Sequence, residues 1–198
     1  MPEPASDNSI CVSVRRATLD DAEELAELIN RAYAVEVVFV DGDRTNPAEI
    51  ALKMKQGEFI VLEGDRGLVA AVYVESRGYF GMLAVAPACQ GMGLGKRLVR
   101  IAEAMCEANG VTTMRLRIIN LREELARWYR SLGYEPVGTT PYTHRPVKKP
   151  CHFIDMERTL GDVTSPAPFR SIGRSIGSSI GSSGGGPGGP SLEPSAAA

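Results

Sequence analysis

Aromatic side chains are scarce in this sequence, at 6% of 198 residues with a single tryptophan. An excess of charge of either sign is missing too, since 22 Lys+Arg stand against 24 Asp+Glu and the formal net charge is -2. A chain so balanced generates no long-range field for a polyanion, which excludes broad electrostatic binding of nucleic acid or of an anionic membrane surface. Long apolar runs are absent as well: stretches such as Leu68 to Val74 stop far short of the roughly 20 residues that span a bilayer. Residues 1–9, beginning Met1-Pro2-Glu3-Pro4, carry neither the basic start nor the apolar stretch of a secretory signal and read as a short disordered lead. The expected compartment is the cytoplasm, with the nucleus left open.

Metal-binding patterns are also missing. The four cysteines, Cys11, Cys89, Cys106 and Cys151, are widely scattered without a CxxC, and the two histidines, His144 and His152, do not complete a zinc set with them. No metal is expected, and the cysteines read as free thiols in a reducing compartment.

Composition changes abruptly after Leu160. Residues 161–198 hold nine Gly, nine Ser and five Pro, with Arg170-Ser171-Ile172-Gly173 followed by an exact copy, Arg174-Ser175-Ile176-Gly177, and a near-copy, Ser178-Ser179-Ile180-Gly181. Such a segment has too little apolar surface to offset its ordering entropy and reads as a disordered low-complexity tail. The remaining 150 or so residues suffice for one domain with its own core, here 10–160.

Within that domain, hydrophobic periodicity alternates between two and 3.6. Ile10 to Arg16 reads as a strand. Thr18, three before Asp21, opens a helix to about Tyr33 with the buried stripe Ala22, Leu25, Ile29 and Ala32. A short helix follows the irregular stretch Ala34 to Pro47, at Ala48 to Lys55. Strands at Phe59–Glu63, Leu68–Glu75 and Tyr79–Val85, separated by Gly64-Asp65 and Arg77-Gly78, predict an antiparallel meander. Leu94, Leu98, Ile101, Ala102 and Met105 form the apolar face of a long helix, with Lys96, Arg97, Arg100 and Glu103 between them as its polar face. The strand Thr112–Ile119 is reached across that helix, so it should run parallel to the Tyr79 strand. A helix over Glu123–Leu132 and strands at Tyr134–Thr139 and Cys151–Thr159 complete a mixed α/β pattern on one sheet. Its order breaks between the Tyr79 and Thr112 strands, where open sheets bind ligands.

A glycine-rich turn falls at that break. In Val85-Ala86-Pro87-Ala88-Cys89-Gln90-Gly91-Met92-Gly93-Leu94-Gly95-Lys96, a strand runs through three glycines directly into a helix, whose first amides and dipole favour an anion. A P-loop is excluded, because Gln90 stands where its first glycine belongs and Arg97 follows Lys96. The dinucleotide pattern GxGxxG fails because Lys96 occupies its last position.

The turn resembles that of the GNAT superfamily of acetyl-coenzyme A-dependent N-acetyltransferases, whose signature is Gln or Arg, two residues, Gly, one residue, then Gly or Ala. Gln90, Gly93 and Gly95 match it. The strand Met82-Leu83-Ala84-Val85 before the turn and Trp128-Tyr129-Arg130-Ser131-Leu132-Gly133-Tyr134 after it are similar to the family's in order and context. The resemblance covers residues 10–160. It implies an α/β (α+β) GNAT-like fold: a mixed, mostly antiparallel sheet of about seven strands, about four flanking helices, and a parallel pair at the cofactor site.

It further implies that acetyl-CoA is the cosubstrate, its pantetheine held along Leu83, Ala84 and Val85 and its pyrophosphate by Gln90, Gly91, Met92, Gly93, Leu94, Gly95 and Lys96. Asn120, at a strand end, corresponds to a cofactor-contacting residue, although its spacing to Tyr129 is about two residues longer than the family's. Tyr129 corresponds to the general acid. The base is a carboxylate, with Glu75 and Glu36 as candidates, or an ordered water. Cys89 lacks a neighbouring base and reads as a small junction residue rather than a nucleophile.

The implied partner is a small-molecule or peptide amine, and the implied state a monomer or homodimer. A non-catalytic acyl-CoA sensor on the same fold is the alternative. Acceptor choice is expected of two loops of opposite sign: Ala34–Pro47 with Glu36, Asp41 and Asp43, and Thr139–Pro150 with His144, Arg145, Lys148 and Lys149.

Overall fold

The computed structural model of the protein describes residues 11–161. The expected lead, and the tail apart from Gly161, lie outside the described residues. The strands β1 (Ser13–Arg16), β2 (Glu58–Gly64), β3 (Gly67–Glu75), β4 (Tyr79–Val85), β5 (Thr113–Ile119), β6 (Glu135–Pro141) and β7 (His152–Thr159) form one sheet in the order β1-β2-β3-β4-β5-β7-β6. Every pairing is antiparallel except β4 with β5. Around the sheet stand α1 (Ala22–Tyr33), α2 (Pro47–Met54), α3 (Leu94–Ala108) and α4 (Glu123–Ser131). The fold is the mixed sheet with one parallel pair that the sequence predicts.

Two cores lie on opposite faces. On one, Leu25, Leu28 and Ile29 of α1 and Ile50 of α2 pack on Phe59, Val61, Ala71 and Tyr73. On the other, Leu98, Val99 and Ala102 of α3 and Ala126 of α4 pack on Ile60, Val72, Phe80 and Met114. The central strands are therefore covered twice, which explains why Leu68 to Val74 is a continuous apolar run instead of an alternation.

Two local readings change. Among the described residues β1 begins at Ser13, where the ladder starts with the Ser13–Glu63 pair, so Cys11 and Val12 of the expected strand stand outside it, and Ile10 lies outside the described residues. Glu103 is not on a polar face. It is buried, accepting hydrogen bonds from the Tyr134 hydroxyl (2.8 Å), Arg158 Nη1 (2.7 Å) and Arg100 Nη1 (2.7 Å). Its three donors arrive from α3 itself, the residue after Gly133, and β7, and such compensation is what lets a carboxylate sit inside.

Among the described residues, no helix is long and apolar enough to cross a membrane. None of their His, Cys, Asp and Glu side chains gather in threes or more to hold a metal.

Candidate active site

β4 and β5 share a single parallel pairing, Tyr79 with Arg115, fastened by the Arg115 N–H donating to the Gly78 carbonyl at 2.7 Å. Beyond it they separate. The cause lies in β4, where the register with β3 slips by one residue and Met82 and Leu83 together face Val72. Met82 adopts φ 48°, a left-handed conformation costly for a side-chain-bearing residue and tolerated here inside a bulge that bends the strand.

The gap between the strands opens into a cavity of about 1080 Å³. Phe80 to Leu83 and Val85 form one wall and Leu116 to Ile119 the other. At its mouth lies the glycine turn. Gly91 and Gly93 have φ 80° and 78°, and a Cβ at either would meet nothing within 4 Å, so the turn faces open space. Gly93 is the N-cap of α3 and has no side chain to cap it. The first bond of α3 is Arg97 N–H to Gly93 O, which leaves the Leu94, Gly95 and Lys96 amides free. Among the described residues, Gly91, Met92 and Gly93 also have no backbone acceptor. Gln90 uses its side chain to hold the turn, donating Nε2 to Val85 O at 3.3 Å. Free amides at a helix start and an open strand edge fit a ligand with an anionic group and an amide-bearing arm, the chemistry of a coenzyme A.

Of the residues singled out by sequence, Leu83, Val85, Gln90, Gly91, Gly93, Leu94, Gly95 and Lys96 line this cavity, as do Tyr129, Glu75, Glu36 and Cys89. Three others do not. Ala84 points to the α1 face, in the opposite core. Met92 stands at the surface on the outer side of the turn. Asn120, just past the end of β5, is tied to the start of β7, its Oδ1 accepting from the His152 N–H (2.9 Å) while its own N–H donates to His152 O (3.0 Å). The side chain serves the β5–β7 junction.

Tyr129 is buried on the inner face of α4 among Trp128, Phe80 and Tyr134, with ring centroids at 4.7, 6.1 and 5.9 Å. Its hydroxyl has no protein partner among the described residues. Burial, and then the neighbouring phenols of Tyr33 and Tyr79, push its pKa well above the usual tyrosine value, so it holds its proton throughout the neutral range. Tyr33 is pushed up to about 12, again mainly by burial.

Glu36 has a side chain only 13% exposed and an Arg122 Nη1 at 3.5 Å from Oε1. Desolvation raises its carboxyl pKa, against the pull of Arg44 and Arg122. Glu75 is half-buried at the end of β3.

The two loops of opposite sign are joined to each other. Val40 bridges Val147, Asp41 N–H donates to Pro146 O, Lys148 N–H donates to Phe39 O, and Lys148 Nζ lies 3.0 Å from Asp41 Oδ1. Asp41, Asp43, Lys148 and Lys149 are absent from the cavity wall, where Glu36, Arg44, His144 and Arg145 stand instead. Opposite charges in adjacent strands attract each other first, so the expected division into an acidic and a basic acceptor loop does not hold.

Residues 55–136 match the family model of the acetyltransferase (GNAT) domain. That segment belongs to the GNAT superfamily. Over 127 residues, 61% of its length, the chain is 33% identical to an amino-acid acetyltransferase of Ralstonia nicotianae. The match spans about a quarter of that relative, 26% of its length.

The GNAT fold is shared with two solved structures of low identity. A phosphinothricin acetyltransferase of Sinorhizobium meliloti, in complex with acetyl-CoA, is 21% identical with a TM-score of 0.61, over 81% of this chain and 95% of that one. The ribosomal-protein-S18-alanine N-acetyltransferase of Escherichia coli is 16% identical with a TM-score of 0.60, over 80% of this chain and 100% of that one.

The sequence reading missed Tyr33, Arg44, Tyr79 and Arg122 in the GNAT cavity wall. Tyr33 and Tyr79 looked like the ends of ordinary elements, and Arg44 and Arg122 lie in irregular segments without periodicity. Only the fold brings them together.

Proposed function

We propose that the protein is an acetyl-CoA-dependent N-acetyltransferase that moves an acetyl group to a primary amine by direct transfer within a ternary complex. The observation that carries this reading is the presence of Tyr129, Glu36 and the free-amide turn around one cavity. The residues fit acetyl-CoA, which when bound supplies the acetyl group as an activated thioester. The Leu94, Gly95 and Lys96 amides bind its pyrophosphate, and the open edge of β4 at Leu83 and Val85 orients its pantetheine arm.

Tyr129 presents a phenolic proton to the departing sulfur. With a raised pKa it stays protonated and acts first as a hydrogen-bond donor to developing thiolate charge. Glu36 takes the proton from the attacking amine. A desolvated carboxylate is a stronger base than a surface one, which favours Glu36 over the half-buried Glu75. Phe80, Trp128 and Phe153 add apolar surface to the cavity lining.

Thiol release from acetyl-CoA, measured with the full chain against primary amines, amino acids and peptides, tests the reading. Turnover with at least one amine supports it. Tight acetyl-CoA binding with no turnover on any would make the protein a sensor on the same fold.

A further inference from the structure

Buried polar atoms in folded proteins nearly always have partners, and an exception at a cavity wall points to a missing ligand. Among the described residues, and apart from the Tyr129 hydroxyl already assigned to the reaction, three side-chain atoms closed off from solvent lack a hydrogen-bond partner: Arg44 Nε, Thr45 Oγ1 and Tyr73 Oη. All three belong to residues lining the one large cavity, and all three can donate. Burial, with help from the neighbouring Glu75 carboxylate, pushes the Tyr73 phenol up, but Glu75 does not complete a hydrogen bond to it.

Arg44 differs from the other arginines on this wall. Arg117 is paired with Asp155 at 2.7 Å, Arg122 with Glu36 at 3.5 Å and Arg145 with Glu49 at 3.4 Å. Arg44 has no carboxylate within 4.0 Å among the described residues. Its guanidinium carbon lies 5.3 Å from the centre of the Tyr33 ring, a stacking contact that fixes the plane of the group and leaves its edge free.

The backbone that aims it is anchored on both sides. Thr45 is 2% exposed and exchanges hydrogen bonds with the Asn30 amide, Asn30 Nδ2 to Thr45 O at 2.9 Å and Thr45 N–H to Asn30 Oδ1 at 3.0 Å. The Arg44 carbonyl accepts from Arg145 Nη2 at 2.8 Å. A residue whose backbone is held this firmly while its guanidinium has no hydrogen-bond partner is organised for something outside the chain.

Resting on the transferase reading, we infer that the acceptor is a small amine carrying a carboxylate, as an amino acid does, and that Arg44 binds the carboxylate through its free guanidinium edge. A planar guanidinium matches a carboxylate with two parallel N–H bonds, which no neutral amine can use. The Thr45 hydroxyl, next in the chain, offers a further donor. Glu36 and Arg44 line the same cavity, so an acceptor gripped by Arg44 at its carboxylate has its amine within the space that Glu36 also faces. Arg44 is thus a specificity residue and takes no part in proton transfer.

The test compares L-methionine, L-glutamate and L-lysine with their carboxamides, on the full-length chain and on Arg44→Gln and Arg44→Lys. Equilibrium titration in the presence of coenzyme A reads binding without needing turnover, and thiol release from acetyl-CoA reads turnover. The proposal expects at least one free acid to bind about 100-fold more tightly than its amide. Arg44→Gln should shrink that ratio to within about three-fold, with Arg44→Lys between, and the KM for acetyl-CoA unchanged.

Three binding results overturn it: amides binding as well as acids, neither acids nor amides binding, or Arg44→Gln weakening acid and amide alike. A raised KM for acetyl-CoA in Arg44→Gln would assign the guanidinium to the cosubstrate and also overturn it. Acids bound through Arg44 but never acetylated would leave the Arg44 carboxylate site standing while the transferase reading, and with it the acceptor role, fell.

Discussion

Tyr79 of β4 pairs with Arg115 of β5, and no later residue of either strand pairs across that boundary. Everything attributed to the site depends on this parting. The bulge at Met82 and Leu83 turns β4 aside, the cavity fills the gap, and the glycine turn closes its mouth.

The three glycines of the turn are not equivalent. Gly93 sits at φ 78°, where a Cβ costs about 1–2 kcal/mol, whereas Gly95 is helical and a Cβ there would meet Val85 and Trp128 at ordinary contact distances of 3.6 and 3.7 Å. Gly93→Ala should lower the melting temperature and weaken acetyl-CoA binding. Gly95→Ala should hold or slightly raise stability, since alanine is favoured over glycine by up to about 1 kcal/mol in a helix. Thermal unfolding and acetyl-CoA titration of the two variants check this order.

For Glu36 the prediction is one of pH. A base must be deprotonated, and desolvation raises this carboxyl above its usual pKa of 4.5. The rate should therefore fall as pH drops through that raised value, at a higher pH than a surface carboxylate would give. Tyr129 keeps its proton well beyond pH 10, so loss of this donor adds no alkaline limb below that. Glu36→Gln should lower kcat by about 10²-fold or more and erase the acidic limb. A kcat–pH profile of both proteins decides it, and an unchanged limb in the variant would give the base to another group.

Glu103 predicts a stability effect without a catalytic one. Glu103→Ala leaves the Tyr134 hydroxyl and the Arg158 guanidinium without their buried acceptor, at a cost of about 3 kcal/mol. Glu103→Gln keeps an acceptor for Tyr134 and should lose less. Denaturant unfolding measures both, and kcat of the folded fraction should match wild type.

Much of the fold was legible because each element carries its own periodicity and punctuation, and because the glycine turn is a local signal. Glu103 was misread since helical spacing alone cannot tell a solvated carboxylate from one met by Arg158, 55 residues away. Asn120 was assigned to the cavity by its position at a strand end, but its hydrogen bonds to His152 depend on β7 lying between β5 and β6, which local sequence does not encode. The charged loops were read as separate surfaces, although Asp41 and Lys148 meet across more than a hundred residues. Arg44 carries no pattern at all. Its meaning comes from the partner it lacks.

The central claim is that this cavity transfers acetyl groups with Tyr129 as proton donor. Its most direct test is Tyr129→Phe, assayed for thiol release at saturating acetyl-CoA and amine, with acetyl-CoA affinity measured separately by titration. The phenol has no protein partner to lose, so the variant should fold as wild type, bind acetyl-CoA within about two-fold, and turn over about 10²-fold more slowly, the scale of a lost general acid. Equal turnover by the two proteins would contradict the account.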